Sequence, residues 1–208
     1  MTAPNLDQLA ERLSIAFTRR TAADAFTPLL KPALRLLARG SPVAPDEIAV
    51  AAGRTSAAVL AALRQQPSVE WDEAGRVVGL GLTLRPTPHR FQVDGRTLFT
   101  WCALDTLMFP ALLGTRARVT SPCPITGVQV RVEVTAERVE EVEPADAAVS
   151  LVVPEAIDDV RRAFCHQVHF LSSPEAAARW RAVHPDGLTL PVADAFQLGQ
   201  MLIRLRAL

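Results

Sequence analysis

The stretch "PDEIAVAAGRTSAAVLAALRQQP", residues 45–67, decides the fold of the amino-terminal part of the chain. Its first half predicts a short helix that ends at Gly53, a residue suited to the left-handed backbone that closes many helices. Thr55 or Ser56 can then cap a second helix that runs to about Gln66. Two short helices joined by a tight turn containing glycine are typical of a helix-turn-helix.

The sequence on both sides of this stretch extends it to a module. Apolar residues recur at helical spacing over 5–20 and again over 27–39. In the second segment Thr27 can cap the helix and Pro28 suits its first position. Downstream, "VEWDEAGRVVGLGL" predicts two strands about the turn "DEAG", a hairpin that would form a wing. We therefore predict a winged-helix-like module over residues 1–82.

The second predicted region, residues 83–208, contains hairpins and helices without a repeating βα rhythm. Asp94-Gly95 marks one hairpin turn, and alternating strands flank the turn "SPCPITG". The other predicted elements are an apolar helix at 101–113 interrupted by Pro110, a strand at 147–153, a helix starting near Pro154, a strand at 165–171 and two final helices. The predicted fold class is α+β: an N-terminal winged-helix-like helical module packed on a mostly antiparallel sheet domain with helices.

Charge and composition narrow the function classes. The 208 residues are 49% hydrophobic, with 22 Lys+Arg against 22 Asp+Glu, so the chain shows no electrostatic footprint for nucleic acid or an anionic membrane. The helix-turn-helix and wing carry Arg54, Arg64 and Arg76 against five acidic residues. A helix that reads DNA needs cations for the phosphates. We therefore expect no nucleic-acid partner and favour a structural role for this module.

Targeting and redox signals point to the cytoplasm. The first twenty residues lack a basic region followed by an apolar run, so no signal peptide is expected. No window of about 18 uninterrupted apolar residues predicts a membrane span. Three widely spaced cysteines do not resemble a disulfide framework. We expect a cytoplasmic protein with reduced thiols.

The segment "WCALDTLMFPALLG", residues 101–114, places Cys102 and Asp105 three residues apart in apolar surroundings. Positions i and i+3 share a face of a helix, so the thiol and the carboxyl can meet there. Burial raises the pKa of a carboxyl group, and a neutral acid beside a thiol can store and deliver a proton. A packing role for both residues remains open from spacing alone.

The other two cysteines suggest a structural role in one case and a possible zinc site in the other. Cys123, in the turn "SPCPITG", has no acid or base near it in sequence and fits the role of a small buried apolar residue. Cys165 precedes His166, and on a strand it would share a face with His169. Together with Cys102 this pair could form a zinc site, although no CxxC or HxxxH motif supports one.

The combination of "LFTWCALDTLMFPALLG" at 98–114, "SPCPITG" at 121–127 and "FCHQVHF" at 164–170 resembles the organomercurial (alkylmercury) lyases. The segment "LGLTLRPT" at 80–87 adds to the resemblance, which extends over most of the chain. It implies a lyase that cleaves the carbon–mercury bond of R–Hg⁺ by protonolysis to R–H and Hg²⁺. In one departure, many members carry a second cysteine where this chain has His166.

The resemblance also implies the roles of the residues. Cys102 and Cys165 would be catalytic and would bind mercury as thiolates, the softest side-chain ligands for a soft cation. Asp105 would shuttle the proton and is a possible further mercury ligand, and Trp101 and Phe164 are candidate walls of the substrate pocket. Cys123 would be structural. No bound cofactor is implied; Hg²⁺ is a product ligand, external thiols assist its release, and a mercuric reductase is the expected recipient.

Two alternatives remain at this point. The chain could be a mercury- or metal-sensing regulator that uses its winged helix on DNA, or a non-catalytic thiol protein that only binds metal.

Overall fold

The computed structural model describes residues 5–18, 23–154 and 159–208. The helices, in chain order, are α1 Leu6–Thr18, α2 Ala23–Leu37, α3 Pro45–Ala52, α4 Ser56–Arg64, α5 Ala103–Leu113, α6 Val160–Ala163, α7 Pro174–Ala182 and α8 Val192–Leu205. The strands are β1 Glu70–Trp71, β2 Val77–Leu80, β3 Leu82–Thr83, β4 His89–Val93, β5 Arg96–Thr100, β6 Ala117–Pro122, β7 Gln129–Val134, β8 Val139–Glu143, β9 Ala148–Leu151, β10 Phe170–Leu171 and β11 Leu188–Pro191.

The helix-turn-helix and wing form as predicted. Gly53 ends α3 with a φ of 62°, in the left-handed region that glycine adopts without a steric penalty. The Thr55 hydroxyl accepts a hydrogen bond of 3.3 Å from the backbone N–H of Ala58 and so caps α4. Strands β1 and β2 then pair antiparallel as the wing.

The preceding helix α2 differs from its predicted start. It begins at Ala23, so Thr27 is not its cap, and Pro28 lies inside the helix together with Pro32. Each interior proline removes one backbone hydrogen bond. Burial of Leu29 and other apolar residues of α2 offsets that cost. For α1, residues 19–20 of the predicted helix lie outside the described part of the chain.

One sheet connects the module to the rest of the protein. Eight antiparallel strands follow the order β1-β2-β3-β5-β4-β6-β7-β8, and β3 pairs with β5 through Leu82 opposite Thr100. The predicted hairpin at Asp94-Gly95 joins β4 to β5, with positive φ at both turn residues. A second sheet has the order β10-β9-β11. Helices and antiparallel sheets together confirm the α+β class.

Helix α5 is central and buried. It contacts α2 and α8 as well as the sheet, and eight of its eleven residues are buried. Pro110 does not interrupt it, contrary to the prediction, and the helix continues to Leu113. Packing around α5 outweighs the single hydrogen bond that Pro110 cannot make. The helix begins after Cys102, which is its N-cap residue.

Three other predictions need correction. Strand β8 and strand β11 were not foreseen. The helix expected near Pro154 is described only as the one-turn α6, capped by Asp159; residues 155–158 lie outside the described part of the chain. The strand expected at 165–171 is instead a 3₁₀ turn, Cys165–Gln167, followed by the short β10. That turn forms because the Val168 N–H donates to the Cys165 carbonyl at 3.1 Å.

Two apolar clusters fill the interior. The larger runs from α1 and α2 through α5 to α8 and includes Cys102 and Cys165. The smaller surrounds Cys123 with Leu171 and Trp180. Within the described residues, every helix is too short or too polar to cross a lipid bilayer.

Candidate active site

Cys102 and Asp105 meet at the start of α5. Cys102 has extended backbone at the N-cap position, and Asp105 is the third residue of the helix. The Cys102 N–H donates to Asp105 Oδ2 at 3.1 Å, so the carboxylate satisfies a backbone donor at the helix start. The contact foreseen from helical spacing is therefore made, but by a capping interaction and not along one face of the helix.

Cys165 reaches the same place from a distant part of the chain. It follows α6, whose cap Asp159 accepts from the backbone N–H groups of Arg161 and Arg162. The 3₁₀ turn that begins at Cys165 leads to Val168, whose carbonyl accepts from the Ala103 N–H at 3.1 Å. That backbone bond ties the segment after Cys165 to the residue after Cys102.

The three side chains form one cluster. The Sγ atoms of Cys102 and Cys165 and a carboxylate oxygen of Asp105 all lie within 4.8 Å of one another. Both cysteines are buried, and neither forms a disulfide. Two thiol sulfurs at this spacing can bind one soft cation. The carboxyl group is hydrogen-bonded to the Cys102 thiol, so it can exchange a proton with that sulfur.

Burial controls the protonation of the cluster. It raises the pKa of Asp105 to about 6, against the lowering effect of the hydrogen bonds from Cys102. It also raises the pKa of the Cys102 thiol well above its usual range. At Cys165 a hydrogen bond from the Cys102 thiol lowers the pKa, but burial and the nearby Asp105 outweigh it, and the net pKa is raised. The resting site therefore holds protonated thiols that must be activated.

An apolar pocket opens onto the cluster. Asp105 and Cys165 lie on its wall, together with Trp101 and Phe164, the two residues proposed as pocket walls. Most of the other lining side chains are aliphatic or aromatic, and they come mainly from α1, α2, α5, α6, α8 and the wing. Such a lining accepts an apolar organic group and excludes water from it.

A buried carboxylate supports the site from the wing. Glu70 is only 7% exposed. It accepts from Trp101 Nε1 at 2.7 Å and from the Thr83 hydroxyl at 2.9 Å, and it forms an ion pair with Arg161. The Arg161 guanidinium also lies over the Trp101 ring, 5.3 Å from its centroid.

His169, considered as a zinc ligand, and Cys123, expected to be structural, both lie outside the cluster. His169 does not join the cluster of Cys102, Asp105 and Cys165, and its ring stacks at 6.2 Å from that of His89. The proposed zinc site with His169 is therefore wrong, because Cys165 occupies a turn and not the strand that would align the two side chains. Cys123 lies in the separate apolar cluster.

Comparison with known proteins gives matches over both the amino-terminal and the carboxy-terminal part of the chain. A family model described as alkylmercury lyase matches residues 82–204, and one described as the helix-turn-helix domain of alkylmercury lyase matches residues 8–81. The chain belongs to the alkylmercury lyase family. The resemblance drawn from the four sequence segments is confirmed.

Individual relatives of the alkylmercury lyase family are close. An alkylmercury lyase of Streptomyces lividans is 53% identical over 94% of this chain and 91% of its own length. One from Staphylococcus epidermidis is 50% identical over 95% of this chain and 91% of its own length. A solved structure, the mercury-bound form of MerB2, superposes with a TM-score of 0.75 at 26% identity and covers 97% of this chain and 98% of that one.

The alkylmercury lyase resemblance did not indicate every residue around the site. Glu70, Arg161 and Arg206 contact or line the pocket region but carry no motif. An isolated charged residue within a predicted strand or helix looks like an ordinary surface residue. Only the pairing of the wing with the rest of the sheet shows that Glu70 is buried.

Proposed function

We propose that this protein cleaves the carbon–mercury bond of organomercurial cations, R–Hg⁺, by protonolysis to R–H and Hg²⁺. The observation that supports it best is the meeting of two thiols and one carboxyl group within 4.8 Å, with Asp105 and Cys165 on the wall of an apolar pocket. The family membership of the chain points to the same reaction.

Mercury is bound first. One cysteine, Cys165 or Cys102, loses its proton to solvent, and its thiolate binds the mercury of R–Hg⁺. The organic group R then lies in the apolar pocket. Trp101 and Phe164 are the walls that we assign to it.

Proton transfer and bond cleavage follow. The second cysteine gives its proton to the Asp105 carboxylate and binds mercury as a thiolate, which adds electron density to the metal. Asp105 then donates that proton to the carbon, which keeps the two electrons of the carbon–mercury bond. The products are R–H and Hg²⁺ bound by two thiolates. A carboxyl group with a pKa of about 6 can both accept and release this proton near neutral pH.

Product release requires other thiols. We propose that low-molecular-weight thiols displace Hg²⁺ from Cys102 and Cys165 by ligand exchange, and that a mercuric reductase then takes up the ion. His166, beside Cys165, would affect this transfer and not the cleavage. Because the reaction needs reduced cysteines, we assign the enzyme to the cytoplasm.

We further propose two domains, residues 1–82 and 83–208. The first supports the site from the wing and does not bind nucleic acid, since Arg54, Arg64 and Arg76 face an excess of acidic residues in that segment. A salt-dependent affinity for duplex DNA would instead favour the mercury-sensing regulator.

The direct test is incubation with phenylmercuric acetate and excess thiol, with benzene measured in the headspace. We expect stoichiometric benzene from the wild type and none from Cys102→Ser or Cys165→Ser. Cys123→Ser is the matched control and should retain benzene release. A wild type that binds phenylmercury without releasing benzene would favour the non-catalytic metal-binding alternative.

A further inference from the structure

We propose that Arg206 forms a subsite for an anionic group on the substrate, so that arylmercury compounds with a carboxylate or sulfonate tail are favoured substrates. This inference rests on the proposed lyase function and adds the chemical class of the organic group. It concerns the part of the pocket away from the mercury-binding cluster.

The first observation is an arginine without an anionic partner in the part of the chain that the structure describes. Arg206 lines the pocket, and its Nε atom is buried without a hydrogen-bond partner among the described residues. Within the same part of the chain, no acidic side chain forms an ion pair with it. Asp105 is the one acidic residue in the described lining, and it belongs to the reaction centre. A partly buried guanidinium whose Nε atom lacks a hydrogen-bond acceptor favours an anionic ligand.

The second observation is a continuous aromatic wall between Arg206 and the cluster. The Arg206 Cζ atom lies 5.0 Å from the centroid of the Phe17 ring. The Phe17 ring meets the Phe164 ring edge to face at 5.2 Å between centroids. Phe164 immediately precedes Cys165. An aryl group attached to mercury at Cys165 would therefore lie along aromatic rings that lead to a cation.

The chemistry of the subsite follows from the guanidinium. Its planar fork of N–H donors matches the two oxygens of a carboxylate or sulfonate. A hydrogen bond to a charged group contributes about 1.5–3 kcal/mol, which corresponds to a preference of about 10- to 100-fold. The phenyl group of phenylmercury carries no anionic substituent and therefore gains none of this preference.

The test compares two substrates on one variant. For Arg206→Met we expect kcat/KM for 4-carboxyphenylmercury to fall by about 10- to 100-fold, while kcat/KM for phenylmercury changes less than about threefold. The methionine keeps an apolar side chain of similar length against Phe17. Arg204→Met, at an exposed arginine on the same helix end, is the matched control and should leave both values unchanged.

The measurement with phenylmercury distinguishes failure of the proposed lyase function from failure of the proposed Arg206 subsite. If the wild type releases no benzene, the lyase function itself fails. If both substrates lose the same factor in Arg206→Met, Arg206 has only a structural role and the subsite is wrong. Arg206→Lys, which keeps the charge without the fork, should restore part of the preference for the carboxylate; no restoration beyond Arg206→Met would also count against the subsite.

A different set of contacts carries a second inference, that Glu70 of the wing is a positioning residue for both reactive cysteines. Its carboxylate binds Trp101, the residue before Cys102, and Arg161, four residues before Cys165. Nearby, Ser68 donates to the cap residue Asp159 at 2.5 Å. The wing thus contacts the segments that lead to the two sulfurs, which have 62 residues between them in the chain.

Glu70→Gln tests this role because glutamine can still accept from Trp101 Nε1 but cannot pair as an anion with Arg161. We expect kcat for phenylmercury to fall about tenfold while KM stays within twofold, since positioning acts on the chemical step. Glu73→Gln, an exposed residue of the same hairpin, should change neither. A lower melting temperature with unchanged kcat at temperatures where the variant is folded would reduce Glu70 to a structural role.

Discussion

Cysteine occupies two contrasting environments in this molecule. Cys102 and Cys165 are buried in the larger core beside Asp105, and the pKa of each thiol is raised. Cys123 is buried in the smaller cluster, beside Thr126 and Ser172. There burial raises the pKa of its thiol, but hydrogen bonds from Thr126, Ser172 and the Ile125 backbone more than offset that effect, and its net pKa is lowered.

The cysteine with the lowered thiol pKa is therefore not one of the cysteines in the proposed reaction centre. Cys123 has the thiol that ionises more easily, yet it lies outside the group of possible ligands formed by Cys102, Asp105 and Cys165. Cleavage of a carbon–mercury bond needs two sulfurs on one metal and a proton donor beside the carbon. For this reaction, the grouping of two thiols with one carboxyl group is more important than the pKa of any single thiol.

The largest effect is expected for Cys102 and Cys165, the proposed pair of mercury ligands. Cys102→Ser or Cys165→Ser should lower the rate of benzene release by at least about a thousandfold, because residues that act as a unit fail together. The double variant should be hardly worse than either single one. Single-turnover rates with phenylmercuric acetate measure this; losses that multiply in the double variant would contradict joint ligation of one mercury.

The second-largest loss of activity is expected for Asp105→Asn. Loss of the proton donor is expected to lower kcat by about 10²- to 10⁴-fold, while both thiols still bind Hg²⁺ with a stoichiometry of one. Mercury binding by equilibrium dialysis and benzene release are measured on the same sample. Full turnover by Asp105→Asn would show that the proton reaches carbon by another route.

The raised pKa of Asp105 also predicts a pH dependence of stability. The folded pKa of about 6 exceeds the ordinary aspartate pKa of 3.8, so the native state binds more protons than the unfolded chain between these pH values. The stabilisation is complete below pH 3.8 and is lost as the pH rises through 6, by about 3 kcal/mol in all. Denaturant unfolding of wild type and Asp105→Asn from pH 4 to 7 measures it. If the free energy of unfolding changed with pH in the same way for both proteins, the raised pKa of Asp105 would be contradicted.

The smallest effect on activity is expected for a substitution of Cys123, the cysteine outside the cluster. Cys123→Ser should keep benzene release within twofold and lower the free energy of unfolding by about 1–2 kcal/mol, since a hydroxyl is costlier to bury than a thiol. Thermal unfolding and the benzene assay check the two parts. A large loss of activity at unchanged stability would give Cys123 a chemical role and remove the contrast.

The local elements could be read from the sequence where a turn or cap residue specifies the backbone. Gly53 and Thr55 define the helix-turn-helix, and Asp94-Gly95 defines a hairpin, because these residues act within a few positions of themselves. The errors occur where packing dominates. Pro28 and Pro110 lie within helices since burial outweighs a missing hydrogen bond, and Cys165 lies in a turn where a strand was expected.

The sequence by itself determined the fold class and the family, and it singled out Cys102, Asp105 and Cys165 as candidate site residues, because these depend on residue types and motifs within short segments. Only the tertiary structure decided that these three side chains meet within 4.8 Å and that Arg206 lines the same pocket. It also decided that Glu70 of the wing contacts Trp101 and Arg161, which precede the two cysteines in the chain. Distances between residues far apart in the chain depend on how helices and strands pack against one another, and no local pattern of residues encodes them.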